Sequence, residues 1–211
     1  MTRLVRLDAD SVASIPPEAA VSLKDGRLAV CPTDTLYGLA ASPFSSSGLM
    51  RLAAVKNRAP GKPIPLLLSE SGAARQWARD IPEAAALLMR RFWPGALTLV
   101  LPAARGLSPI ITGGGDTVGL RVPDHPFPRA LAESVGGAIT GTSANRGGEP
   151  GDWRSPEDIL REFKDEIDWV FWEGPLTTKA STVVKATGAA PTLLREGAVP
   201  FRDIMEYLQK G

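Results

Sequence analysis

Glycine and proline fall at almost every point where a long element would otherwise continue. The 211-residue sequence carries 21 glycines and 19 prolines, scattered rather than clustered. The chain must therefore be built from many short elements joined by tight turns. No stretch repeats at a fixed period and no low-complexity linker stands out. A compact chain of this size buries roughly 70% of its unfolded surface, so its core needs no staples. Residues 1–211 read as a single domain.

The apolar runs between these breakers set the order of elements. Pro16-Pro17-Glu18 opens an apolar segment that closes at Gly26, which predicts a first helix with proline at its start and glycine past its end. Periodicity predicts further helices at 47–57, 83–92, 126–135 and 201–209, and Ser155-Pro156-Glu157-Asp158 reads as a capped helix start. Short apolar runs predict strands at 28–31, 64–68, 97–101, 118–122, 138–141, 169–172, 181–185 and 192–194. Strands and helices alternate early and strands dominate late. The expected fold is α/β: a twisted, open, mixed sheet with flanking helices. The G-x-G-x-x-G and G-x-x-x-x-G-K-[ST] fingerprints are absent, so it is not a Rossmann repeat, and no G-x-S-x-G elbow occurs.

Composition removes several function classes. Lys plus Arg is 24 and Asp plus Glu is 23, a net charge of +1. Whole-molecule attraction to nucleic acid or an anionic membrane is not indicated, although a local basic patch is compatible with it. Cys31 is the only cysteine and His125 the only histidine, which excludes a Cys/His zinc site and an intrachain disulfide. Asp8 and Asp10 interrupt any apolar leader, and no run approaches the roughly 18 apolar residues of a membrane span. A cytoplasmic protein with no membrane association is expected.

Four polar stretches adjoin apolar runs, where a rigid sheet can hold site residues on loops. Pro32-Thr33-Asp34-Thr35-Leu36-Tyr37-Gly38-Leu39 is dense in hydrogen-bonding groups; as bare composition it reads as a turn, with Asp34 capping the residues after it. Lys56-Asn57-Arg58-Ala59-Pro60-Gly61-Lys62-Pro63 puts three cations at a helix end. They either complement the helix dipole or clamp a polyphosphate or carboxylate, and as exposed loop cations they should matter little to stability. Thr112-Gly113-Gly114-Gly115-Asp116-Thr117 frees backbone N–H groups for an anion or is a surface loop, and Arg121, alternating with Leu120 and Val122, must face solvent, a partner or an anionic ligand. Thr142-Ser143-Ala144-Asn145-Arg146-Gly147-Gly148 leaves a strand and enters a glycine turn. His125, between Pro123 and Pro126, reads as a turn or capping residue, Cys31 as a small core residue, and the five tryptophans as core packing.

Together these stretches resemble one family, the YrdC-like threonylcarbamoyl-adenylate synthases. The resemblance rests on Pro32 to Leu39, Lys56-Asn57-Arg58, Phe92-Trp93-Pro94-Gly95-Ala96-Leu97-Thr98-Leu99-Val100-Leu101, Val118-Gly119-Leu120-Arg121-Val122-Pro123 with His125-Pro126, Thr142-Ser143-Ala144-Asn145, Ser181-Thr182-Val183-Val184, and Leu194-Arg195-Glu196-Gly197, in that order. It implies a twisted open sheet with a basic concave surface. It also implies a reaction that joins L-threonine, bicarbonate and ATP into L-threonylcarbamoyl-adenylate, releasing pyrophosphate. The product would pass to partner proteins that modify tRNA. The end at Gly211 matches the short, single-domain branch. This sequence has Ser69 where many members have histidine, Thr142 where many have proline, and Ala59 before Pro60 where many have proline directly after the arginine.

On that resemblance, Lys56, Arg58, Ser143 and Asn145 form the catalytic centre and, with Thr117 and Arg195, bind ATP. Thr33, Thr35, Tyr37, Arg121, Thr142 and Ser181 bind threonine, Arg121 through its carboxylate. No covalent intermediate is needed, because the threonine carbamate is the nucleophile and catalysis is positioning plus charge stabilisation. Mg2+ is expected to enter on the ATP phosphates with few protein ligands. Two other readings use the same features: a module binding double-stranded RNA or the ribosome, and a carbamoyl-transfer domain.

Overall fold

The structure, a computed structural model, describes residues 1–8, 14–146, 153–176 and 179–210. Asp10 and the turn at Gly147 and Gly148 lie outside the described residues. In chain order the elements are β1 (Arg3–Arg6), α1 (Pro17–Lys24), β2 (Ala29–Cys31), β3 (Gly38–Ala40), α2 (Ser46–Val55), β4 (Leu66–Leu68), α3 (Ala74–Trp77), α4 (Glu83–Phe92), β5 (Leu97–Pro102) and α5 (Pro109–Thr112). They continue with β6 (Thr117–Arg121), α6 (Pro126–Ser134), β7 (Ala138–Thr140), β8 (Thr142–Ser143), α7 (Pro156–Phe163), β9 (Trp169–Trp172), β10 (Thr182–Lys185), β11 (Thr192–Arg195) and α8 (Phe201–Lys210).

The mixed α/β class is as expected, but the strands form two mixed sheets instead of one. Five strands run in the order β1-β9-β2-β3-β8 and six in the order β11-β10-β5-β6-β4-β7. Thr140 explains the break. At the seam its N–H donates to Ala41 O at 3.0 Å and its Oγ1 takes the Ala41 N–H at 2.8 Å. A side-chain oxygen stands where a ladder carbonyl would be, so the sheets touch there without becoming one ladder.

The short elements have local causes. Ser45 Oγ accepts from Gly48 N and starts α2, while Ser155 and Asp158 form a reciprocal capping box at α7. His125 caps α6, its Nδ1 accepting from Phe127 N at 3.1 Å. The apolar faces then meet in three cores. Leu88 of α4 and Ile204 of α8 pack with Leu99 and Leu120 of the six-stranded sheet. Leu23 of α1 and Phe127 of α6 pack on Phe171 of the other sheet. Leu52 of α2 and Phe163 of α7 cover Val30 and Leu39 on that sheet's opposite face. Burying each such side chain stabilises by about 1.5–3 kcal/mol. Trp77, Trp93, Trp169 and Trp172 are buried and Cys31 is fully so; burial and the Glu173 charge push its thiol up to about 12.

One short strand that the sequence does not announce organises the site. β3 pairs antiparallel with β2 (Cys31 opposite Gly38) on one side and with β8 (Gly38 opposite Ser143) on the other. Residues 32–37 are therefore a hairpin loop, and β3 holds that loop beside the Thr142 to Asn145 segment.

Candidate active site

The hairpin loop is pinned by its own hydroxyls. Thr33 Oγ1 accepts from Thr35 N at 3.0 Å and Leu36 N at 3.1 Å, and it lies 2.9 Å from Thr35 Oγ1. Side-chain oxygens that take nearby N–H groups in this way stabilise turns without a helix or ladder. Thr33 is thus the turn's cap. Asp34, read from the sequence as a cap, is turned the other way: its Oδ1 accepts from Arg121 Nη2 at 2.5 Å.

Arg121 is only 4% exposed. Besides Asp34, its Nη1 donates to Thr35 Oγ1 and its Nε to Gly95 O, both at 2.9 Å. Arg121 ends β6, which the antiparallel register places opposite β5, with Leu120 facing Leu99. A guanidinium at that place faces inward onto a carboxylate, not outward to solvent.

The Lys56-Asn57-Arg58 segment takes its form from the end of α2. Asn57 has φ 45°; its N–H reaches Ala54 O, and Arg58 N–H reaches Ala53 O. This left-handed cap closes the helix and sends the flanking side chains different ways. Lys56 Nζ donates to Ser143 O at 2.7 Å, Asn145 O at 2.6 Å and Asn145 Oδ1 at 3.0 Å. Ser143 Oγ donates to the same Asn145 Oδ1 at 2.5 Å. Lys56 is 6% exposed, so the expectation of an exposed cation unimportant to stability is corrected. It is a buried cross-link whose ammonium holds the Ser-x-Asn segment in shape. Burial, with Arg58 beside it, lowers its pKa to about 8. Arg58 is half-buried, its Nε on Lys62 O and its Nη2 on Pro63 O, so it clasps its own loop. Gly113, at φ 67°, ends α5 against that loop; a side chain there would meet Gly61 O at 2.5 Å.

A third group lies across β10 and β5. Thr98 Oγ1 and Ser181 Oγ are 2.9 Å apart and buried, and Arg195 Nη2 donates to Ser181 O at 2.9 Å. Arg195 sits on an exposed edge strand, but its guanidinium turns back on Ser181. Desolvation there, with the charge of Arg121 nearby, lowers its pKa. Gly197 makes this possible: a side chain at 197 would meet Ala180 O at 2.1 Å. A surface depression lined by Lys179, Ala180, Glu196, Gly197 and Pro200 adjoins this segment and not the Lys56 cross-link.

The structure therefore gathers most of the candidates. The Thr33, Thr35 and Arg121 group and the Lys56, Ser143 and Asn145 group meet through the hairpin loop, because Ala144 N donates to Tyr37 O at 2.8 Å. Tyr37's hydroxyl is committed elsewhere, donating to Gly174 O and accepting from Glu173 N while its ring stacks on Trp172 at 5.0 Å. Thr142 is buried in β8. Thr117 begins β6, four residues from Arg121, and among the described residues its side chain is hydrogen-bonded to none of these groups. His125 Nε2 lies 2.8 Å from Glu173 Oε2 while Nδ1 serves the α6 cap; the ring is used structurally, as expected. Ser69 Oγ is buried without a partner. Asp34 and Thr98 were missed as site residues, because neither is chemically unusual until the strands bring its partner.

Known proteins resemble this chain in both fold and sequence. The Sua5/YciO/YrdC family model, described as telomere recombination, matches residues 21–197. The threonylcarbamoyl-AMP synthase of Pyrococcus abyssi (strain GE5 / Orsay) is 35% identical over 191 residues, covering 90% of this chain and 56% of that protein. The threonylcarbamoyl-AMP synthase of Bacillus subtilis (strain 168) is 34% identical over 189 residues, covering 89% of this chain and 54% of that protein. The chain thus spans little more than half the length of these two relatives. A crystal structure of P. abyssi Sua5 complexed with L-threonine superposes with a TM-score of 0.86 at 32% identity, covering 98% of this chain and 60% of that one.

Proposed function

The chain belongs to the Sua5/YciO/YrdC family, and on that premise we propose that it is an L-threonylcarbamoyl-adenylate synthase. The threonine amine takes up bicarbonate with loss of water. The resulting carbamate oxygen attacks the α-phosphorus of ATP, and pyrophosphate leaves. The observation that carries this reading is the double role of the 32–37 loop. One end holds a buried guanidinium through Thr35 and Asp34, and the other is tied to the segment that Lys56 cross-links. The Arg121 guanidinium, which this reading gives to the carboxylate, and the Lys56-held segment, which it gives to the phosphates, share one support, as positioning of two substrates requires.

In this reading Arg121 takes the threonine carboxylate, with Thr35, Thr142 and Ser181 around the hydroxyl and carbamate. Thr33 and Tyr37 shape the loop. Arg58, Ser143, Asn145, Arg195 and Thr117 hold ATP, and Lys56 stabilises their arrangement and adds positive charge beside the phosphates. Among the described residues no group of three or more His, Cys, Asp or Glu side chains gathers as metal ligands, which suits Mg2+ carried on the ATP phosphates. Hand-over to tRNA-modifying proteins and direct RNA binding belong to the same proposal, as does the cytoplasm as compartment. Among the described residues no helix is long and apolar enough to cross a membrane. The test is incubation with ATP, Mg2+, bicarbonate and labelled threonine. Mass spectrometry should find label in threonylcarbamoyl-adenylate, and pyrophosphate release that ignores threonine would refute the assignment.

A further inference from the structure

Four cations line this site, and they are compensated differently. Lys56, Arg58 and Arg195 donate to carbonyl, amide or hydroxyl oxygens. Among the described residues only Arg121 of these four meets a carboxylate, that of Asp34, and both side chains are largely buried, at 5% and 15% exposure. We propose that Asp34 is a positioning residue for the amino-acid substrate: it fixes the Arg121 guanidinium so that the N–H groups left over are the ones a substrate carboxylate can use.

An arginine side chain has many rotamers, and a carboxylate is bound best by a guanidinium whose plane is already set. Here three elements set it: Gly95 O after α4, Thr35 Oγ1 within the loop, and Asp34 Oδ1 beside it. Asp34 and Thr35 are neighbours in sequence, so the hairpin loop grips two nitrogens of one guanidinium. Removing one grip frees the plane to tilt.

Asp34 thus orients the group that reads the substrate carboxylate. This role rests on the synthase reading.

The test measures pyrophosphate release with threonine varied at saturating ATP and bicarbonate, then with ATP varied at saturating threonine. Asp34→Ala is expected to raise the KM for threonine by at least about tenfold while leaving the KM for ATP within about twofold. Asp34→Asn, which keeps the acceptor oxygen, is expected to return the KM for threonine to within about threefold of wild type, and Asp34→Glu, which displaces it, is not. A threonine KM within about twofold of wild type in Asp34→Ala overturns the proposal, as does a parallel rise in both KM values, which marks a merely structural role. Asp34→Asn as impaired as Asp34→Ala overturns it too. A wild-type protein that shows no threonine-dependent release removes the synthase reading, and this proposal with it.

Discussion

Lys56 and Arg121 are both buried cations, 6% and 4% exposed, yet they are held in opposite ways. Arg121 has an anion against it and a fork of fixed N–H directions. Lys56 has three neutral oxygens, all from the Ser143 to Asn145 segment. A guanidinium stays charged at any ordinary pH, whereas an ammonium gives up its proton when burial is costly enough. The Arg121 end of the site is thus electrostatically fixed and the Lys56 end can titrate. The same contrast appears in what each cation supports: Arg121 is itself held by the loop, while Lys56 holds a loop.

The sharpest way to break this comparison is Lys56→Met, which keeps the stem and removes the donors. Activity should fall by at least about a hundredfold. Stability should fall by about 1–3 kcal/mol as the backbone oxygens of the Ser-x-Asn segment lose their donor. For a chain of this size that is roughly 2–4 °C in melting temperature per kcal/mol. A melting curve identical to wild type would show that Lys56 is a ligand group only.

Arg58→Ala separates the neighbouring cation from this structural role. Its hydrogen bonds stay within its own loop, so the melting temperature should hold within about 2 °C while turnover drops by roughly tenfold to a hundredfold. Turnover near wild type would remove Arg58 from the phosphate clamp.

The titration itself gives a smaller, signed effect. Lys56 is lowered in the folded protein from 10.5 to about 8, so between those values the unfolded chain binds more protons than the folded one. This titration therefore adds stability, on top of the hydrogen bonds, as pH rises through that window, and the added part is lost as pH falls through about 8. Melting temperatures of wild type minus Lys56→Met, measured across this range, should rise with pH; a flat difference would mean that the ammonium does not titrate there. Activity should decline over the same range, because the neutral amine has fewer donors for its oxygens.

His125→Ala marks the outer boundary of the comparison. The ring caps α6 and pairs with Glu173, whose N–H reaches Tyr37 behind the loop. Loss of the cap should cost about 1 kcal/mol. Turnover should stay within roughly tenfold of wild type, because in the proposed reaction a carbamate nucleophile needs no histidine base. A thousandfold loss at an unchanged melting temperature would make His125 catalytic.

Much of the fold was legible because breakers and periodicity act locally. The helix expected at 83–92 is α4 and the strand expected at 169–172 is β9, residue for residue, since the first has a clear amphipathic repeat and the second a continuous apolar run. β1, β3 and β8 were missed. β3 is three residues long and begins with glycine, and β8 is two, too short for alternation to show. These two strands exist because β2 offers β3 a partner edge, and β3 in turn offers one to β8.

The sequence by itself determined the kinds of chemistry available: hydroxyls and a carboxylate on one loop, cations after one helix, small polar groups after a late strand. Periodicity and turn residues, which depend on near neighbours, also determined most element positions. Only the tertiary structure decided which charge meets which. Asp34 reaches Arg121 across 87 residues, and Lys56 reaches Asn145 across 89. Those meetings depend on strand order and register, and a shift of one residue would turn a buried side chain to the other face. Whether a cation is an exposed clamp or a buried strut is thus a property of its neighbours in space, which local sequence does not contain.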